Sequence, residues 1–204
     1  MIPLVGFDSC YIIIVVAQLL QTHHRFSVQE YELMGEIFDD NARVELIEGE
    51  IVDMVPIGPR HQDYVNRLTH LFVSRFGERC VVQIQGPIRL SDYSEVQPDL
   101  ALLQKKPGGY AEAHPGPLDT LLVVEISDTT LARDIEKAKL YAQNGVSQCW
   151  IIDVNKRELI IMGSPGPDGY TVQHTVSANE RIADPLEPDK YPEEYLESSV
   201  LFRS

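Results

Sequence analysis

The order of apolar and polar positions along the chain predicts a sheet with helices packed on it. Four aliphatic runs bounded by Gly, Pro or polar turns are typical of strands: 80–85, 96–103, 121–127 and 149–154. Between His61 and Phe76 the apolar residues recur at the spacing of an amphipathic helix, and Gly77 stops the pattern. A second helix is predicted from Leu131 to Asn144, with Gly145 at its left-handed cap. These elements indicate an α/β domain of mixed α+β type, with a mixed central β-sheet flanked by helices.

Smaller patterns predict how the elements connect. Ser27 followed by Glu30 is a capping box that opens a short helix. Strand-like runs on either side of Glu48-Gly49 predict a tight hairpin. The runs CVVQIQ, PIRL and VQPDLALL predict an antiparallel meander, and ELIIMG with YTVQH predicts a peripheral hairpin. LLVVEIS, the second helix and CWIIDV follow one another as strand, helix and strand, which predicts a right-handed parallel crossover.

Two acidic residues interrupt the apolar runs and give the first indication of chemistry. Asp99 lies in VQPDLALL, Glu125 lies in TLLVVEIS, and Lys137 lies on the helix that follows. Two buried neighbouring carboxylates repel each other and lose hydration, which would drive one of them to its neutral form unless a cation lies between them. The pattern therefore favours Asp99 and Glu125 as ligands of Mg²⁺ or Mn²⁺, with Lys137 beside the reacting group.

Net charge argues against a polynucleotide substrate, because phosphate contacts need Lys and Arg concentrated on one surface. The chain carries a formal charge of -14 with 17 Lys and Arg residues against 31 Asp and Glu residues. A local basic patch is compatible with this total. One candidate set follows the first long helix and another flanks the proposed site. For both sets, an interpretation as ordinary solvent-exposed faces is as well supported as a basic patch. The residues are Arg60, Arg67, Arg75 and Arg79, and then Lys105, Lys106, Arg133, Lys137 and Lys139.

The remaining sequence features indicate the domain organisation and the cellular compartment. Length and composition fit one globular domain over residues 26–204, preceded by an extension over residues 1–25. The apolar run at 11–20 is too short to span a bilayer and has no basic residue before it, so we expect neither a membrane span nor a secretory signal. It is interpreted as an extra strand or helix on the domain or at a subunit interface, or as an upstream start that the cell does not use. The three cysteines have no pairing pattern, which is typical of free thiols in the cytoplasm.

The acidic pair and the lysine resemble the PD-(D/E)xK nuclease superfamily. Pro98-Asp99 matches its first half-motif and Glu125-Ile126-Ser127 its second, with Ser127 where that superfamily usually has lysine and Lys137 as the lysine moved to the following helix. From about Phe26 onward the chain more closely resembles the Uma-type restriction endonuclease family, which is expanded in cyanobacteria. The matching stretches are VELIEGEIVDMVPIGPRH, QGPIRLSD, QPDLALL, YAEAHPGP, LLVVEISDTTLARD and KAKLYAQNGVSQCWIID.

This resemblance implies a restriction-endonuclease-like core and a set of site residues. It assigns Asp99 and Glu125 as metal ligands, Lys137 as the catalytic lysine and Glu45 as a further acid. His61 and Ser127 are possible accessory residues. The implied activity is metal-dependent hydrolysis of DNA phosphodiester bonds by a homodimer, without a small-molecule organic cofactor.

Two alternatives to this activity differ in how well the sequence supports them. The acidic composition and Ser127 favour a catalytically inactive module that keeps the fold and binds nucleic acid or protein. A small-molecule hydrolase has no support, because the chain contains no GxSxG motif and suggests no Cys/His pair.

Overall fold

A six-stranded sheet forms the centre of the molecule. The computed structural model describes residues 23–35, 37, 43–186 and 195–202. In spatial order the strands are β10-β9-β8-β7-β6-β3, and only β7 and β8 run parallel. Their bounds are β3 Val81–Ile84, β6 Leu100–Leu103, β7 Thr120–Ser127, β8 Gln148–Asp153, β9 Glu158–Gly166 and β10 Gly169–Ser177. The mixed α+β fold expected from the sequence is confirmed.

Both faces of this sheet are covered by a helix. Helix α2 (Pro59–Phe76) buries Leu68, Phe72 and Phe76 among side chains that include Leu100 and Leu102 of β6. The intervening β6 residues, Ala101 and Leu103, belong to the core on the opposite face, where α3 (Leu131–Gln143) packs. Because side chains alternate along a strand, a strand covered on both faces becomes uniformly apolar.

The parallel crossover is confirmed and places the lysine helix. Strand β7 leads through α3 into β8, and Glu125 pairs with Ile151 in the parallel register. Gly145 follows the helix with φ +85°, the left-handed conformation that glycine adopts without steric cost. Helix α3 therefore begins four residues beyond the carboxyl end of β7, close to Glu125.

The predicted meander is wrong, because its strands belong to two sheets. Strand β3 pairs with β6, whereas β4 (Ile88–Ser91) and β5 (Ser94–Val96) form a hairpin in a second sheet of order β2-β1-β5-β4. The run VQPDLALL breaks at Pro98, which has no backbone N–H to donate and restricts the residue before it. The chain thus passes from one sheet to the other at Gln97 and Pro98, immediately before Asp99.

The second sheet carries an acidic residue into the interior. Strands β1 (Val44–Ile47) and β2 (Glu50–Asp53) form the predicted hairpin, and Glu48 and Gly49 both have positive φ in its turn. Glu45 lies on β1 and is 2% exposed, so its carboxylate is withdrawn from water. Helix α1 (Val28–Met34) carries the predicted capping box of Ser27 and Glu30.

Three further sequence-based expectations concern the apolar N-terminal run, membrane spans and the cysteines. The apolar run at 11–20 lies outside the described residues. Within the described ranges, no helix is long and apolar enough to cross a membrane. Cys80 and Cys149 are buried free thiols, while Cys10 lies outside the described residues.

Candidate active site

A pocket lies where the two sheets meet the start of α3. Its cavity of about 70 Å³ exceeds the 10 to 15 Å³ that one water molecule needs, so it has room for an ion or several waters. The lining combines acids from both sheets with two arginines and the helix lysine. It includes Glu45, Asp99, Glu125, Asp134, Arg43, Arg133, His61, Gln97 and Lys137.

Lys137 connects the acids of the two sheets. Its ammonium lies 2.9 Å from Glu45 Oε1 and 3.0 Å from Glu125 Oε1, and it donates a longer hydrogen bond of 3.3 Å to the Gln97 carbonyl oxygen. These three acceptors match the three protons of an ammonium group. The carboxylates keep the lysine charged despite its burial, and they raise its pKa. Lys137 is therefore a buried cation between two sheets.

Glu125 is held by α3 on one oxygen. Tyr141, one helical turn after Lys137, donates its hydroxyl to Glu125 Oε1 at 2.7 Å. Burial raises the pKa of Glu125 to about 7, although Lys137 opposes this effect, and Asp99 and Asp134 raise it further. No donor in the described part of the chain is hydrogen-bonded to Glu125 Oε2, which leaves that oxygen available to a ligand of the pocket.

Asp99 is fixed from two sides by groups of different elements. One oxygen, Oδ2, lies 2.9 Å from His61 Nε2 at the start of α2 and accepts the Ile126 backbone N–H at 2.9 Å. The other, Oδ1, has a long contact of 3.5 Å with Gln85 Nε2 and no further hydrogen bond within the described part of the chain. Burial disfavours the charged imidazole, but the hydrogen bond and charge of Asp99 outweigh it and raise the pKa of His61.

Asp134 is the fourth acid of the pocket, and its carboxylate accepts the Thr130 hydroxyl at 2.7 Å. Burial raises the pKa of Asp134, while the hydroxyls of Thr130 and Ser127 lower it. Ser127 is itself 2% exposed and is not among the residues that line the pocket.

The charge of the pocket lining suits a divalent cation, but the protein supplies few grouped ligands for one. Four carboxylates line the pocket against Lys137, two arginines and one histidine, and the raised pKa values of Glu125 and Asp134 reflect burial that a bound cation would offset. Over the ranges 23–35, 37, 43–186 and 195–202, no three His, Cys, Asp or Glu side chains are grouped to hold a metal. A cation would draw on Asp99 Oδ1 and Glu125 Oε2, with water or substrate oxygens completing the shell as Mg²⁺ commonly requires.

A family model described as "Uma2: Putative restriction endonuclease" matches residues 28–189. The chain belongs to the Uma2 family. A solved structure with a similar fold is the crystal structure of a putative nuclease belonging to DUF820 from Anabaena variabilis, with 15% sequence identity and a TM-score of 0.64. The alignment covers 87% of this chain and 97% of that chain. No curated protein matches the chain.

The predicted site residues of this Uma2-family chain lie together, but sequence reasoning missed several of their partners. Glu45, Asp99, Glu125, Lys137 and His61 all line one pocket, whereas Ser127 is not among its lining residues. Arg133, predicted to flank the site, also lines this pocket. The partners that were missed are Gln85, Gln97 and Asp134, together with the hydroxyl of Tyr141. The position of Tyr141 one turn beyond Lys137 could have indicated its role; Gln85 and Gln97 act through contacts between distant elements and have no local pattern.

The basic residues on and just after the first long helix have protein partners. Arg60 pairs with Asp128, Arg67 with Asp63, and Arg79 with Asp184. Arg75 also has an interaction partner. Arg43 and Arg133 differ from them in lining the pocket itself. These two arginines are therefore the ones placed to meet a phosphate in the pocket.

We expect the stability of this Uma2-family protein to fall as pH rises from about 4.5 to about 7. The folded state holds protons on Glu125 in this window that the unfolded state has lost, since burial raises the pKa of Glu125 to about 7. The raised pKa of His61 acts in the same direction, because its contribution is lost as pH rises through the folded value. Urea unfolding at several pH values should reveal a loss of up to about 3 kcal/mol. Glu125→Gln should reduce this slope, and an equal slope in the variant would contradict the assignment.

Proposed function

We propose that the protein is a metal-dependent endonuclease that hydrolyses phosphodiester bonds of DNA. The observation that carries the proposal is the convergence of Glu45, Asp99, Glu125 and Lys137 in one pocket from two sheets and a helix. Membership of a family described as restriction endonucleases supports the same reaction. Asp99 and Glu125 would hold Mg²⁺ or Mn²⁺, which supplies an activated water and offsets charge on the phosphate.

The chain's own groups suit the remaining requirements of such a reaction. Lys137 provides a fixed positive charge beside the reacting centre, where it can stabilise the developing charge of the phosphate or orient a water. Glu45 orients this lysine and also accepts the Gln97 backbone N–H at 2.7 Å. Arg133 lies 3.6 Å from Glu45 Oε2 and donates to the Asp53 carbonyl, so its guanidinium is positioned at the pocket wall for a phosphate.

A second function has one observation in its favour, the full occupancy of Lys137. All three ammonium protons have protein acceptors, so the lysine reaches a substrate only if one acceptor gives way. Glu125 is the acceptor whose charge a metal would share. Without that exchange the arrangement is a structural ion pair in a catalytically inactive module that binds nucleic acid or protein.

Nicking of supercoiled plasmid by the wild-type protein in Mg²⁺ or Mn²⁺ separates these functions. Endonuclease activity predicts conversion to open circles with either cation and none in chelator. Retention of a labelled duplex without nicking would instead support the inactive binding module.

We also propose that the protein is a homodimer, since cutting both strands of a duplex needs two sites. The apolar run at 11–20 is the proposed interface element. Deleting residues 1–22 is expected to reduce the mass measured by light scattering from twice the chain mass of 23.0 kDa to that of one chain. An unchanged mass after the deletion would exclude this segment as the interface.

A further inference from the structure

A second, larger pocket lies on the other side of the small sheet. It has a volume of about 410 Å³ and is lined by Glu32 of α1, by Arg89 and Glu95 of the β4-β5 hairpin, and by the segment 110–114. Leu46 lies directly opposite Glu95 in the pairing of β1 with β5. Because side chains alternate along a strand, Glu95 shares the face of Leu46, whereas Glu45 points the opposite way, into the candidate active site. The two pockets are separate.

Glu95 is an unsatisfied acid at the wall of this pocket. The residue is only 8% exposed, and its Oε2 is buried without a hydrogen-bond partner among the described residues. Burial raises the pKa of Glu95, while the charges of His114 and Arg89 lower it and Glu32 raises it, and no hydrogen bond contributes. Arg89, which lies opposite Glu95 in the pairing of β4 with β5, directs its guanidinium to Asp92 at 3.0 Å. A buried carboxylate without donors costs free energy that a ligand carrying donors would recover.

The charges around Glu95 select a cation. Glu32 and Glu112 add two further carboxylates to the lining, against Arg89 and His114. A guanidinium suits this acidic lining better than an ammonium does, because it is more weakly hydrated and carries five donors that can serve Glu95 and the neighbouring acids together. The volume lies within the usual range of small-molecule sites, so it accommodates a guanidinium on a short alkyl chain.

We propose that this pocket binds a guanidinium group, with Glu95 as its principal acceptor and Glu32 and Glu112 as the surrounding acids. The proposal is independent of nuclease activity, since none of these residues lines the candidate active site. The group could be carried by a free guanidino compound or by an arginine side chain of a polypeptide, and the recognition chemistry is the same for both.

Chemical-shift titration of the ¹⁵N-labelled protein with methylguanidinium chloride tests the proposal at constant ionic strength. Saturable shifts are expected for residues 110–114 and for β5, with binding at least about tenfold weaker in Glu95→Gln. Tetramethylammonium chloride, a cation without donors, should give no saturable shifts. Glu50→Gln is the matched control, because Glu50 is an exposed acid of the same sheet outside the pocket. Circular dichroism checks the fold of each variant.

The outcomes separate clearly. Equal affinity in wild type and Glu95→Gln, or the absence of saturable methylguanidinium binding, would overturn the proposal. If Glu95→Gln does not fold, the double variant Glu32→Gln, Glu112→Gln replaces it, since both side chains are exposed, and unchanged affinity there would count against the site. Tighter binding of N-acetyl-arginine-N-methylamide than of agmatine supports the site with a polypeptide arginine as its ligand, and the reverse order supports it with a free guanidino compound.

Discussion

A Glu125→Gln variant is expected to lose plasmid nicking by at least about a hundredfold in Mg²⁺ or Mn²⁺. The amide keeps the volume of the side chain and one oxygen for the Tyr141 hydroxyl, which in the wild type lies 2.7 Å from Oε1. It removes the charge that a divalent cation requires on this side of the pocket. Calorimetric titration of both cations into the same samples should give weaker heats in the variant, so binding and nicking should be lost together.

The control for this experiment is Glu136→Gln on α3. Glu136 is exposed and pairs with Lys139 instead of the pocket groups, so its variant should nick plasmid as the wild type does. Nicking that persists undiminished in Glu125→Gln would remove Glu125 from the reaction. Loss in both variants would show that the loss at Glu125 is not specific to the pocket, because neutralising a surface acid should not weaken the binding of anionic DNA.

A Lys137→Met variant is expected to lower the free energy of unfolding by about 3–5 kcal/mol at pH 8. Methionine retains the length of the side chain but leaves Glu45 and Glu125 facing each other at 2% and 4% exposure without their shared cation. Urea unfolding measures the loss. The deficit should shrink toward pH 5, because an unpaired Glu125, whose pKa burial already raises in the wild type, can then take up a proton in the folded state.

Lys139→Met provides the matched control for this loss. Lys139 lies on the same helix with half of its side chain exposed, and among the described residues its ion-pair partner is Glu136, three residues earlier. Such a surface pair contributes little, so the control should stay within about 0.5 kcal/mol of the wild type. Equal stability of the two variants would contradict the buried ion pair, and a large loss confined to Lys137→Met would support it even if the protein proves to be an inactive module.

The Glu125→Gln and Lys137→Met variants also separate structural from catalytic roles. Lys137 has a structural role through three hydrogen bonds, whereas Glu125 Oε2 accepts none from any residue in the described ranges. We therefore expect the stability effect to be largest at Lys137 and the cation effect to be largest at Glu125. A protein that loses stability at Lys137 but never nicks DNA would match the binding-module alternative.

Elements whose evidence is local were predictable from the amino-acid sequence alone. The spacing of apolar residues and the residues at element boundaries predicted α2, α3, the Glu48-Gly49 hairpin and the β7-α3-β8 crossover. These predictions succeed because helix and strand periodicity depends on residues that are close in sequence. An acid inside an apolar strand also revealed Glu125, since a buried charge needs a partner wherever the strand lies.

The contacts between residues that are distant in sequence follow from the tertiary fold alone. Lys137 and Glu45 are 92 positions apart, and no local pattern relates them. Pro98 interrupts the run around Asp99 locally, yet the sheet that each part joins depends on which strand edges are available for pairing. Burial pattern determines the face on which a side chain lies, but the packing of the whole chain determines its neighbours across that face, including the His61–Asp99 contact and the Tyr141 hydroxyl on Glu125.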